Sequence, residues 1–531
     1  MDEGVPAPIE ALAHDRPPGL GVGASGARHD RHPSIQVHKS RVTRRRPSRL
    51  CAGTQPGLRG RTSLRSMRLK TALAAGALAG AAIGGAAALR RRRPAASLRD
   101  YLTGRPRVLI LGGGFAGLTA ARELGQALPP DAGLLLVDRN DFMTFWPMVP
   151  EVIPGSIELQ HVLRPLRQDL LGAGAEFLQA EVTEIDLERR LVYTREGELP
   201  FDRVIIALGW HTTFFGTEGA SEHTLTFQSI EDAIAVRDRV ICRFEEVSAE
   251  RTRGGHSDSS RLSFVVVGGG STGVETAANL SALVSELLPG YPRIAATEPR
   301  VHLLQAADAI LPHLDGALQR IAAARIASER IDIDTKSKVH SVDAGGVVLE
   351  GGERIDSGLV LWAAGVGPSP IAAHVNGAAV DSRGRLQIDQ NLRLRGHAGV
   401  YAVGDIAGVN SAGQPVPPTA QAAVQAAAAA AQNLVAELRG GDLRPFKFHY
   451  LGTLVDLGGR FAVSQFMGRR ISGWIAQAMW RAVYLYKLGD RRDRVRVLSD
   501  WLARPLAGAA INSLPLVETP DSASRTAQAT R

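Results

Sequence analysis

Two strand–glycine-turn–helix units, a Gly-Asp pair at the end of a late strand and an aromatic, arginine-rich stretch near the C-terminus predict the architecture. It is an α/β fold of two Rossmann-like dinucleotide-binding domains, followed by a membrane-associating C-terminal segment. The 531 residues suffice for two or three domains with sizeable cores. With 44% hydrophobic and 22% charged residues, the composition is that of a globular chain.

The first unit is "RVLILGGGFAGLTAARELGQAL", from Arg107. A buried strand runs into Gly112, Gly114 and Gly117, with Phe115 and Ala116 between the last two, and then into an amphipathic helix. Gly-x-Gly-x-x-Gly allows a tight turn, close approach of backbone to a pyrophosphate and close helix–strand packing, with phosphates on the helix N-terminus. The next strand, "GLLLVDRN", ends in Asp138, about 20 residues beyond, where a carboxylate accepts hydrogen bonds from an adenosine ribose.

The second unit, "LSFVVVGGGSTGVETAANLSALV", repeats the pattern with Gly268, Gly270 and Gly273, and its second strand "RVHLLQAAD" ends at Gln305. Two fingerprints mean two dinucleotides, in their usual combination a flavin that stays bound and a nicotinamide nucleotide that comes and goes. Ala207-Leu208-Gly209 and Ala363-Ala364-Gly365 close two further strands in small residues, letting the chain cross closely between the lobes. Gly404-Asp405 follows the strand of "GHAGVYAVGDIAG", where an acid can bind flavin ribityl hydroxyls. Ala207, Gly209, Ala364, Gly365, Gly404 and Asp405 thus join the candidate cofactor contacts.

Charge and cysteine content exclude other classes. The net charge of +9 is concentrated in residues 1–100, which hold 19 Lys/Arg against 6 Asp/Glu, leaving a mildly acidic body and no case for nucleic acid. The only cysteines, Cys51 and Cys242, form no C-x-x-C pair. A redox dithiol, a thiolate zinc site and a four-cysteine iron–sulfur cluster are therefore excluded, and no metal is expected. Residues 1–66 read as a disordered basic leader. In 67–104, Thr71–Leu89 is uncharged and carries Gly76, Gly80 and Gly84 before Arg90–Arg93. A membrane anchor, a cleaved targeting segment and a low-complexity linker all fit that composition.

"VPPTAQAAVQAAAAAAQNL" starts a helix at Pro417-Pro418 and places Gln421 and Gln425 on one face among alanines that leave room for a flat ring. The order of fingerprint, A-x-G strand end, second fingerprint, second A-x-G and Gly-Asp, over about 105–445, resembles the two-dinucleotide-domain flavoproteins of glutathione-reductase-like fold. The glutamine helix and the block "FHYLGTLVDLGG", "GRRISGW", "WRAVYL" and terminal "DW" resemble the type II NADH:quinone oxidoreductases within them, extending the likeness to about 505.

The resemblance implies FAD and NADH as cofactors, a quinone bordered by Gln421 and Gln425, and Glu275 near flavin and nicotinamide in the family's G-V-E. It implies an NAD(P)H:quinone oxidoreductase of the respiratory chain that does not pump protons. Gln305 stands where NADH-specific relatives carry a glutamate against a 2′-phosphate, so NADPH stays open beside NADH. Met143 stands where relatives often have histidine and is given no role. From Trp474 to Tyr486 the aromatics, with Arg491, Arg492, Arg494 and Arg496, form an interfacial helix on a membrane surface, with packing against the body or a dimer partner as the alternative. A homodimer is expected, peripheral on the cytoplasmic face of a bacterial inner membrane. The competing reading is a flavoprotein redox sensor, or a reductase of a protein acceptor. The expected domains are an FAD-binding domain in two parts, 105–228 and 369–445, an NAD(P)H-binding domain at 229–368, a C-terminal segment at 446–515 and a disordered tail at 516–531. Ser248–Arg261 reads as a flexible polar loop and Cys242 as a small packed residue on a helix.

Overall fold

The computed structural model describes residues 97–507 apart from 256 and 490. The basic leader, the apolar stretch Thr71–Leu89 and the tail from 516 lie outside the described residues.

Two parallel sheets carry the molecule. The first runs in the order Val400–Ala402, Arg203–Ile206, Arg107–Leu111, Gly133–Asp138 and Glu176–Gln179. The second runs in the order Ile331–Thr335, Arg300–Gln305, Ser263–Val267 and Leu359–Trp362. Their central strands, "RVLIL" and "SFVVV", are covered on both faces, which is why they read as unbroken Val/Ile/Leu runs rather than alternating ones. Each sheet repeats the other in detail. The Gly112 N–H donates to Val137 O at 2.7 Å and the Gly268 N–H to Leu304 O at 2.8 Å; Ala207 N donates to Leu111 O at 2.8 Å and Ala363 N to Val267 O at 2.9 Å.

The lobes are joined where the two A-x-G strand ends run on. Trp210–Thr212 and Val366–Pro368 pair antiparallel, His211 opposite Gly367, and form a two-stranded crossing between the sheets. The glutamine helix, Ala420–Leu438, packs lengthwise on the first fingerprint helix, Phe115–Ala127, through a seam of buried alanines. A C-terminal antiparallel sheet, Gly452–Asp456, Ala462–Phe466 and Arg469–Gly473, then leads into the helices Trp474–Lys487 and Arg491–Ala507.

Ser248–Arg261 departs from the loop expected of its polarity. Its first residues continue the helix Ile230–Thr252, on which Cys242 lies half-buried. Arg251 is clamped to Glu298 at 2.5 Å, Arg261 pairs with Glu250 at 2.6 Å, and Ser257 is buried. Charged side chains here hold backbone in place by pairing, a relation between distant residues that composition does not carry.

Candidate functional site

Each fingerprint closes on itself through backbone. A Cβ on Gly117 would stand 1.7 Å from Gly112 O and one on Gly273 would stand 1.8 Å from Gly268 O, so only glycine lets helix and strand meet there. Gly114 and Gly270, which begin the helices Phe115–Ala127 and Ser271–Leu287, have nothing within 4 Å of such a Cβ. Both helix N-termini therefore face open space with their first amides unpaired by side chains, the arrangement that receives a pyrophosphate. A dinucleotide fits both cradles.

The residues closing each second strand brace the turns. Asp138 Oδ2 accepts the Gly113 N–H at 2.6 Å and Oδ1 the Asn140 N–H at 2.8 Å; burial nevertheless pushes its pKa up, against those two bonds. In the second lobe, Gln305 Oε1 accepts the Gly269 N–H at 2.9 Å. The amide reproduces the carboxylate's structural bond without its charge.

Gly404 brings three elements together, because a Cβ there would touch the Cβ atoms of Ala116 and Ala423 at 3.7 and 3.9 Å. Phe115 stands beside them, edge-on to Phe145 with ring centroids 5.8 Å apart. A cavity of about 500 Å³ opens at this junction. It is lined by Gly404 and Asp405, by Pro417, Pro418, Ala422 and Ala423 at the start of the glutamine helix, and by Thr213, Phe215 and Val366–Pro368 from the crossing. Its size suits a planar ring system. Burial raises the Asp405 pKa to about 6. Gly209 and Gly365 lie at the roots of the crossing: Ser369 N donates to Gly209 O at 3.1 Å and Thr213 N to Gly365 O at 3.3 Å. Ala364 packs on the core of the second lobe.

Gln421 and Gln425 share a helix face, but neither amide is idle. Gln421 donates to Gly452 O at 3.2 Å and accepts the Leu451 N–H at 3.0 Å; Gln425 donates to His449 O at 2.9 Å and accepts the His449 N–H at 2.9 Å. The pair pins the segment 449–452, leaving each amide one N–H and one lone pair for any further partner.

Glu275 is the fifth residue of the helix Ser271–Leu287, and its Oε1 accepts the Asp456 N–H at 3.0 Å. The residue is half-buried, yet protein surrounds the carboxyl closely enough that burial pushes its pKa well above the ordinary carboxylate range.

A family model for pyridine nucleotide-disulphide oxidoreductases matches residues 106–427, and one for the NDH2 C-terminal domain matches 450–509. The type II NADH:quinone oxidoreductase Ndh of Mycobacterium tuberculosis is 32% identical over 413 residues, 75% of this chain and 87% of that one. The chain belongs to the type II NADH:quinone oxidoreductase family. Demethylphylloquinone reductase NdbB of Synechocystis sp. is 32% identical over 416 residues, 76% of this chain and 97% of its own. Among solved structures, NDH2 from Plasmodium falciparum in complex with NADH superposes with a TM-score of 0.69 at 18% identity, over 76% of this chain and 99% of that one.

In this member of the type II family the NDH2 C-terminal domain closes over the site. The terminal Asp-Trp locks it: Asp500 Oδ2 lies 2.6 Å from His161 Nδ1, and the Trp501 indole N–H donates to Glu151 Oε2 at 2.8 Å. Both partners lie in the stretch after Asp138, where Met143 is buried. The helix Trp474–Lys487 is two-sided. Trp480 is 1% exposed and stacks edge-on to Tyr484 at 4.8 Å, whereas Trp474 is 69% exposed. On Arg491–Ala507, Val495, Leu498 and Leu502 also point outward. No helix among the described residues is long and apolar enough to cross a membrane, and no cluster among them is composed to hold a metal ion. Glu151 and Asp456, both buried against these helices, belong to the site without a local signal in the sequence.

Proposed function

We propose that this chain oxidises NADH, and through Gln305 also NADPH, and reduces a membrane quinone without moving protons across the membrane. A bound FAD would supply the carrier, taking hydride from the nucleotide and giving two electrons to the quinone. The observation that carries the reading is the cavity where Gly404-Asp405, the start of the glutamine helix and the interlobe crossing converge, with Glu275 and Gln421 tied to opposite ends of the strand Gly452–Asp456.

The chain's own residues would divide the work. Gly112, Gly114 and Gly117, with Asp138, would hold the flavin's adenosine half, and Asp405 its ribityl chain. Gly268, Gly270 and Gly273 would seat the nucleotide pyrophosphate, and the neutral Gln305 would leave room for a 2′-phosphate. Glu275, with Oε1 engaged by Asp456, would carry a proton on Oε2. Gln421 and Gln425 would border the quinone through the segment they pin. We divide the chain accordingly into an FAD-binding domain, 105–228 with 369–445, an NAD(P)H-binding domain, 229–368, and a C-terminal segment, 446–515. The outward apolar residues of the last two helices, beside their arginines, would rest on an anionic membrane surface at the cytoplasmic face, where NADH is found. A homodimer is part of the proposal.

Anaerobic stopped-flow tests it. The flavin's visible absorption should bleach rapidly with NADH and return rapidly with a short-chain quinone. Bleaching that persists until another acceptor is admitted would reject quinone as the acceptor.

A further inference from the structure

Three carboxylates far apart in sequence meet beneath the C-terminal helices. Glu151 comes from the 3-10 turn Trp146–Val152, Glu275 from the helix Ser271–Leu287 and Asp456 from the end of the strand Gly452–Asp456. Glu151 is 4% exposed and Asp456 is 5% exposed. Glu151 faces the Trp501 indole, the Asp456 carboxyl and the guanidinium groups of Arg481 and Arg504. Asp456 faces the N–H groups of Leu457 and Gly458, the Gln477 side chain and Arg481. Glu275 faces Asp456, Glu151, Trp480 and Tyr484.

The cations here are already shared. Arg504 pairs with Glu286, and Arg481 lies over the Trp501 ring at 4.9 Å. Glu151 Oε1 is fully enclosed and has no hydrogen-bond partner. An ionised oxygen left without a donor in such surroundings is strongly disfavoured, and a second carboxylate beside it makes ionisation of both more so. A proton resolves both problems.

We propose that Glu151 and Asp456 hold one proton between them at neutral pH and pass it to Glu275 whenever Glu275 gives its own to the quinone. This rests on the quinone-reducing reading above. The balance requires such a source: NADH, a quinone and one proton yield NAD⁺ and a quinol. Hydride brings both electrons and one of the two hydrogens the quinol gains, so the other arrives as a proton. In each turnover Glu275 would release a proton to a quinone oxygen, the pair would reprotonate Glu275, and a proton taken up from the solvent would refill the pair. Burial, reinforced by the neighbouring Asp456, lifts Glu151 to about 7, and burial lifts Asp456 to about 6, in keeping with a shared proton. Both residues act through Glu275 rather than on the substrates.

Infrared difference spectra of the holoenzyme between pH 7 and pH 9 test the assignment. A protonated-carboxyl C=O band is expected at pH 7 in Glu275→Gln, where Glu275 contributes none; adding Glu151→Gln should abolish it and adding Asp456→Asn should shift its frequency. In single-turnover stopped-flow, Asp456→Asn should leave bleaching by NADH unchanged and slow reoxidation by quinone at least about tenfold. A wild-type spectrum without any such band, or a band in Glu275→Gln that Glu151→Gln leaves in place and Asp456→Asn leaves unshifted, overturns the proposal, and the wild-type spectrum decides even where a variant fails to fold. If quinone does not reoxidise the wild-type flavin, delivery falls with the parent reading; the infrared bands tell that failure from failure of the pair.

Discussion

The backbone N–H of Asp456 donates to Oε1 of Glu275 at 3.0 Å, at one end of a strand whose other end, Gly452, receives the Gln421 amide. Five residues thus connect the glutamate assigned to proton delivery with the glutamine assigned to border the quinone.

The glutamine clamp is predicted to be both structural and functional. Gln421→Ala or Gln425→Ala removes one donor and one acceptor from the segment 449–452, costing about 1 kcal/mol of stability in urea titrations. The KM for quinone should rise while NADH bleaching of the flavin is unaffected. An unchanged KM in both variants would leave the amides with a packing role alone.

Nucleotide choice is predicted to turn on one charge. Gln305→Glu keeps the acceptor that meets the Gly269 N–H but adds a negative charge where a 2′-phosphate would lie. The kcat/KM for NADPH should fall at least about tenfold, or ~1.4 kcal/mol, with that for NADH little altered. Equal losses for the two nucleotides would show that Gln305 does not select between them.

The first fingerprint offers a contrast between neighbouring glycines. Gly117→Ala places a carbon against the Gly112 carbonyl and is expected to yield insoluble or flavin-free protein. Gly114→Ala meets no protein atom, so the chain should fold and lose flavin instead. Flavin content against melting temperature separates the two outcomes.

The acid cluster predicts a pH dependence of stability. Glu151 and Asp456 have folded-state pKa values raised to about 7 and about 6, above those of an unfolded chain. The folded protein therefore binds more protons than the unfolded one in this range, and stability falls as pH rises from about 4.5 through 7, by up to about 1.4 kcal/mol per pH unit for each group. Melting temperature should decline across that window in the wild type and decline less in Glu151→Gln. A parallel decline in the variant would rule out this contribution.

Membrane attachment is predicted to depend on the outward face of the last two helices. Leu502 is 65% exposed, and replacing it and Trp474 by glutamate should release the protein from anionic vesicles in a sedimentation assay without changing NADH-driven flavin bleaching. Retention on the vesicles would place the contact elsewhere.

The two cradles were legible in sequence because everything that defines them is local. Gly112 and Gly117, like Gly268 and Gly273, are separated by a single turn, and the strand before each is marked by an unbroken apolar run. The glutamines were legible as a pair but not in their bonding, since the segment 449–452 returns to them from beyond the end of their helix. Glu151 and Asp456 carried no local sign: one follows a proline in an irregular turn, the other ends a strand between Val455 and Leu457, and only the closing of the C-terminal helices brings them together. The residues from Ser248 misled for the opposite reason, as polar character masked side chains that pair with Glu298 and Glu250.

The latch between Asp500 and His161 spans 339 residues of chain. A ribosome adding about 5–20 residues per second needs roughly 17–70 s to travel that distance. For that interval the turn that carries His161 waits unfastened in every nascent copy, because the helix that holds it has not yet been made.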